Sequence, residues 1–116
     1  MNWRLLIASI AIACSATPGS AHAFLKRAQP AAGAVVASAP GRIVLAFSEK
    51  LEPAFSGATV TDSAGRNVAA AKAIIEGGSI IVPLRPLGRG SYRVLWHAVS
   101  VDTHRTEGAY SFIVKP

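Results

Sequence analysis

Gly90-Ser91-Tyr92-Arg93-Val94-Leu95-Trp96-His97-Ala98-Val99, the stretch GSYRVLWHAV, decides the fold class. Its apolar residues Tyr92, Val94, Trp96 and Ala98 alternate with their neighbours, and successive strand side chains point to opposite faces, so the four share one side of an extended segment running on to Val101. The same alternation puts Ile43, Leu45 and Phe47 on one face of Arg42–Phe47, and Tyr110, Phe112 and Val114 on one face of the last segment. Turn residues punctuate the chain at Pro30 to Gly33, Ala39-Pro40-Gly41, Asp62 to Gly65, Gly77-Gly78 and Pro86 to Gly90. Shorter strands are predicted over Phe24 to Gln29, Ala58 to Thr61, Asn67 to Ala71 and Ser79 to Leu84, with the Ala-rich patch Ala69 to Ala73 as an edge strand. About seven short strands with closely spaced turns predict an all-β fold, a small immunoglobulin-like antiparallel β-sandwich of Greek-key type. Trp96 is expected in its core. Ser48 to Ser56 breaks the pattern just after a strand, where loops carry sites.

The start of the chain has a different grammar. Arg4 supplies a positive charge, Leu5 to Cys14 is apolar, and Pro18-Gly19-Ser20 precedes small residues, as in a secretory signal peptide. Its apolar run is about ten residues, half of the roughly 20 a membrane-spanning helix needs. The expected organisation is a removed signal peptide followed by one exported domain. Cleavage after Ala21 and cleavage after Ala23 both satisfy the small-x-small rule, and composition does not choose between them. The only cysteine, Cys14, leaves with the leader, so the mature chain has no disulfide and no thiolate metal site. Lipid modification of Cys14 would usually require Leu at the position held by Ala11.

The formal charge of the whole chain is +6. Its bases never form a run longer than the pair Lys26-Arg27 and are not interleaved with aromatics, which argues against a nucleic-acid partner. Nonspecific attraction to an anionic membrane surface or an acidic partner fits better. A single domain of this kind is expected to be a monomer.

The inventory for chemistry is short: His22, His97, His104 and six carboxylates. P-loop, dinucleotide-binding and nucleophile-elbow motifs are absent from the sequence. Ser100, Asp102 and His104 have the residue types of a catalytic triad. On an extended segment, however, alternate residues stand roughly 6.6 Å apart, too far to pass protons along. Asp102-Thr103-His104 reads better as two metal ligands on one side of the chain, with the solvated end of a strand as the plainer alternative. If cleavage exposes His22, its α-amine and imidazole can chelate a metal together. Three nitrogens and one oxygen would then suit one Cu(II) per chain. If cleavage follows Ala23, half of that set is lost. His97 follows Trp96 on the opposite face and is expected to be structural.

Taken in order, these residues resemble the CopC family of periplasmic copper-resistance and copper-binding proteins. The resemblance rests on His22-Ala23-Phe24-Leu25, Gln29-Pro30-Ala31-Ala32-Gly33-Ala34, Ala39-Pro40, Leu45 to Leu51, Phe55-Ser56-Gly57, and above all Gly90 to Trp96 leading into Val99 to His104, with Gly108 and Phe112 in the tail. It implies a copper-binding β-sandwich with His22, Asp102 and His104 as ligands and Glu49 as a weak ligand or hydrogen-bonding neighbour. It also favours the cut before His22, giving a removed signal peptide over 1–21 and a periplasmic domain over 22–116, and it implies an inner-membrane copper transport protein as partner. Members with a methionine-rich loop bind Cu(I) through thioethers, but here Met1 is the only methionine and 61–73 lacks both methionine and histidine, so no Cu(I) site is expected. The expected role is copper resistance, homeostasis or trafficking, without enzymatic activity. The alternatives are a metal-free protein-interaction module and a copper redox enzyme, the latter disfavoured because a carboxylate in the coordination plane leaves no open position for oxygen.

Overall fold

A computed structural model describes residues 23–115; the expected signal peptide 1–21 and the candidate ligand His22 lie outside the described residues. Eight strands form two four-stranded sheets. The first contains β1 (Leu25–Gln29), β3 (Arg42–Phe47), β6 (Ser79–Pro83) and β5 (Ile74–Glu76) in the order β1-β3-β6-β5. The second contains β2 (Val35–Val36), β8 (Arg105–Val114), β7 (Gly90–Val99) and β4 (Gly57–Asp62) in the order β2-β8-β7-β4. A short 3-10 turn, Pro53–Phe55, joins β3 to β4 across the gap between sheets. The expected all-β sandwich is therefore the fold.

The alternating rows meet between the sheets. Ile43, Leu45, Ile80 and Val82 on one sheet face Val60, Val94, Ala98 and Phe112 on the other, all fully buried. Burying side chains of this size contributes about 1.5–3 kcal/mol each, which holds the sheets together without disulfides. Trp96 packs edge-on against Phe47 with ring centroids 5.0 Å apart. It fits because its partner across β8 is Gly108, where a Cβ would lie 2.6 Å from the indole.

Two expectations are corrected, while the expected seven or so strands are eight among the described residues, β2 and β5 being only two and three residues long. The sheets are not wholly antiparallel, since β2 runs parallel to β8. Asn67 to Ala71 is not a strand and Ala69 to Ala73 is not a sheet edge. The segment crosses between sheets, with Val68 N–H donating to Val60 in one and Ala70 N–H to Pro83 beside the other. The Asn67 side chain also accepts the Ala69 N–H at 2.8 Å, taking a donor that a strand would need.

The register defines two ends. At one lie the end of β3, the start of β4, the Gly77-Gly78 turn and the β7–β8 connection, tied by Glu52 N–H to the Val99 carbonyl and by the Leu51–Ser100 bridge. At the other lie the start of β3, the ends of β4, β6 and β8, and the β6–β7 connection, where the Tyr92 hydroxyl donates to the Gly88 carbonyl at 2.7 Å.

Candidate metal centre

The connection between β7 and β8 is Ser100-Val101-Asp102-Thr103-His104. It turns tightly: Ser100 N–H donates to the His104 carbonyl at 2.9 Å, and Thr103 N–H to the Ser100 carbonyl at 2.8 Å. Closing it requires φ of 75° at Thr103, a left-handed conformation that a β-branched residue rarely adopts. Val101 N–H also donates to the Lys50 carbonyl, fastening the turn to the irregular segment after β3.

The turn brings Asp102 and His104 together, with Nδ1 of His104 3.3 Å from Oδ1 of Asp102 and both side chains about half exposed. Ser100, 1% exposed, donates its hydroxyl to the same Asp102 oxygen. That hydrogen bond is the largest cause holding the Asp102 carboxyl below the usual carboxylate range. His104 adds to the effect and desolvation opposes it. The turn also revises the distance argument against a triad, because Ser100, Asp102 and His104 are in contact after all. Their arrangement is nevertheless wrong for nucleophilic catalysis. Ser100 is buried away from any substrate and gives its hydroxyl proton to the carboxylate, whereas a nucleophile must be accessible and hand its proton to the imidazole.

The start of the described chain lies against this turn. Thr106, two residues beyond His104, donates its hydroxyl to the Ala23 carbonyl at 2.9 Å, and Ala23 is fully buried. Phe24 N–H donates to the Ser48 hydroxyl at 2.8 Å and its carbonyl accepts Ser48 N–H at 2.9 Å. Ser48 and Thr106 thereby hold Ala23 and Phe24 beside the Asp102–His104 pair. Nothing in their residue types marked them for that task.

Among the described residues no group of three or more metal-ligating side chains comes together. Glu49 is exposed on the segment after β3 and does not complete such a group with Asp102 and His104. His97 is half-buried on β7, opposite Gly57 and Glu107, with its ring against the Gly57 backbone. The site visible among the described residues is thus a nitrogen–oxygen pair.

The CopC domain family matches residues 25–115. Protein YobA of Escherichia coli K12 is 46% identical over 99 residues, covering 82% of this chain and 80% of that protein. Copper resistance protein C of Xanthomonas campestris pv. juglandis is 41% identical over 118 residues, covering 94% and 92%. Among solved structures, PcoC, a methionine-rich copper resistance protein from Escherichia coli, superposes with a TM-score of 0.71 at 42% identity, covering 82% of this chain and all of that one.

Proposed function

The chain belongs to the CopC family, and from that premise we propose that it is an exported Cu(II)-binding protein of copper resistance or trafficking. Its mature form, 22–116, holds one ion through the amine and imidazole of His22 together with Asp102 and His104. The observation that carries this reading is the anchoring of Ala23 by Thr106. Thr106 lies two residues beyond His104 on β8, and a fixed Ala23 there supports a donor set completed from the chain just before it. The pair itself has the spacing of two adjacent ligands. Donors about 2 Å from one metal and at right angles stand roughly 3 Å apart, and the pair stands at 3.3 Å.

Nitrogen-rich coordination with one carboxylate suits Cu(II), which also tops the affinity order of divalent ions. Glu49 acts as an acidic neighbour that polarises the site or its water. The methionine-rich character named for PcoC has no counterpart in a chain whose only methionine is Met1, which supports a single Cu(II) site without a Cu(I) thioether site. An inner-membrane copper transport protein is the receiver we infer for the cargo, and the periplasm the compartment.

Native mass spectrometry of the protein recovered after export, with one equivalent of Cu(II), reads the N-terminus and the metal count together. The expected species begins at His22 and carries one copper. His104→Ala and His22→Ala should each weaken binding by more than the roughly 10–100-fold typical of losing an outer hydrogen-bond partner. Unchanged affinity in the double variant overturns the reading.

A further inference from the structure

The charges of this chain are scattered in sequence and sorted in space. The end bearing the Asp102–His104 turn holds Glu49, Glu52, Glu76, Asp102 and Glu107, five of the six acidic residues, beside Lys26, Arg27, Lys50 and Arg105. The opposite end carries Arg42 at the start of β3, Arg66 beyond β4, Arg85 and Arg89 between β6 and β7, and Lys115 after β8, all exposed. Its one carboxylate, Asp62, is taken by Arg66 at 3.1 Å. Among the described residues no carboxylate lies within ion-pair distance of Arg42, Arg85, Arg89 or Lys115.

We propose that this basic end is a docking face for an anionic lipid surface and that it holds the protein with the Asp102–His104 turn facing away from the bilayer. The inference stands on charge placement and is independent of which ligands hold copper. Two features favour lipid headgroups over an acidic polypeptide. The bases come from separate turns, so they match a fluid layer of phosphates more readily than the fixed spacing of one acidic strand. Apolar groups are also interleaved with them: Val35 and Ile113, paired across β2 and β8, are 60% and 40% exposed. A cleft of about 460 Å³ also opens at the flank, with Arg27 and Arg42 among walls of Pro30, Val36 and Pro40, and no acidic side chain lines it. It has room for a phosphodiester headgroup. Each base within a Debye length, about 8 Å at physiological ionic strength, adds roughly fivefold to binding on an anionic leaflet, while the other end, where carboxylates and bases nearly balance, gains no such attraction.

The test is co-sedimentation of the mature chain with vesicles of equal parts phosphatidylglycerol and phosphatidylcholine, against phosphatidylcholine alone. Binding to the anionic vesicles only is expected, lost at high salt. The triple variant Arg42→Glu, Arg85→Glu, Arg89→Glu should lower the partition coefficient by roughly a hundredfold or more. The triple Lys26→Glu, Lys50→Glu, Lys72→Glu, with the same change in net charge and with Lys72 lining a cleft beside Pro53, Ser56 and Gly57, should lower it less than tenfold. Should the first triple fail to fold, Arg→Gln at the same three positions keeps the comparison. Equal loss in both triples overturns the proposal in favour of net charge, and binding to polyglutamate with none to anionic vesicles overturns it in favour of an acidic protein.

Discussion

At the scale of single residues, Ser100 connects the core to the site. It is buried, and its hydroxyl keeps the Asp102 carboxyl ionised at lower pH than a free carboxyl would be. Protons compete with metal for ligands. In Ser100→Ala the carboxyl regains a higher pKa, and the pH at which half the copper is released, followed by the Cu(II) absorption band during acid titration, should move upward. Tyr110 makes the opposite case. Its hydroxyl is buried without a partner among the described residues, and burial pushes its pKa up to about 12. Removing a buried unsatisfied group relieves a desolvation penalty, so Tyr110→Phe should raise stability by about 1 kcal/mol in urea denaturation. Asp102 and His104 were legible in the sequence as residue types two apart. Their contact was not, because it depends on the left-handed Thr103, and the serine between core and carboxylate looked instead like a nucleophile.

Among the elements, the turn after β4 shows how one side chain closes a connection. Asp62 Oδ1 accepts N–H groups from Ala64 and Arg66, both at 2.9 Å, and Oδ2 meets the Arg66 guanidinium. The Arg66 backbone N–H is the largest cause of its lowered pKa; desolvation opposes the shift, and the Ala64 N–H and the guanidinium add to it. A carboxylate whose folded pKa lies below its unfolded value stabilises fully above the unfolded value, and that contribution fades as pH falls through the folded one. Asp62→Asn should therefore start from a lower stability at neutral pH and lose less of it on acidification, as chemical denaturation at a series of pH values would reveal. The strands that could be read directly, β3 and β7, have unbroken alternation. β8 was read only from Tyr110 onward because its inward positions Thr106 and Gly108 are not apolar, and Gly108 is small to admit Trp96. β2 and β5 are too short to carry a period. Asn67 to Ala71 had the composition of a strand, but its hydrogen bonds go to both sheets.

For the whole molecule, the buried core among the described residues is apolar apart from Ser100 and includes neither Asp102 nor His104, so copper should add to a fold that the core already holds. A ligand that binds only the folded state at about a hundredfold excess over its Kd stabilises by roughly 2.7 kcal/mol. For a domain of this size that corresponds to a rise in Tm on the order of 10 °C. Calorimetry of the chain beginning at His22 should show the rise, and the same chain with His104→Ala should lose most of it. The least legible feature of the site is also its longest-range contact, the Thr106 hydroxyl on the Ala23 carbonyl, 83 residues apart in sequence. No local pattern announces a bond of that span. It has a practical consequence for anyone producing this protein. Because Ala23 is sealed in place at the metal end, a purification tag or an initiator methionine fused ahead of His22 would acylate the proposed amine ligand. A preparation made that way would report a weak copper binder. A histidine-free tag belongs after Lys115, at the opposite end of the sandwich.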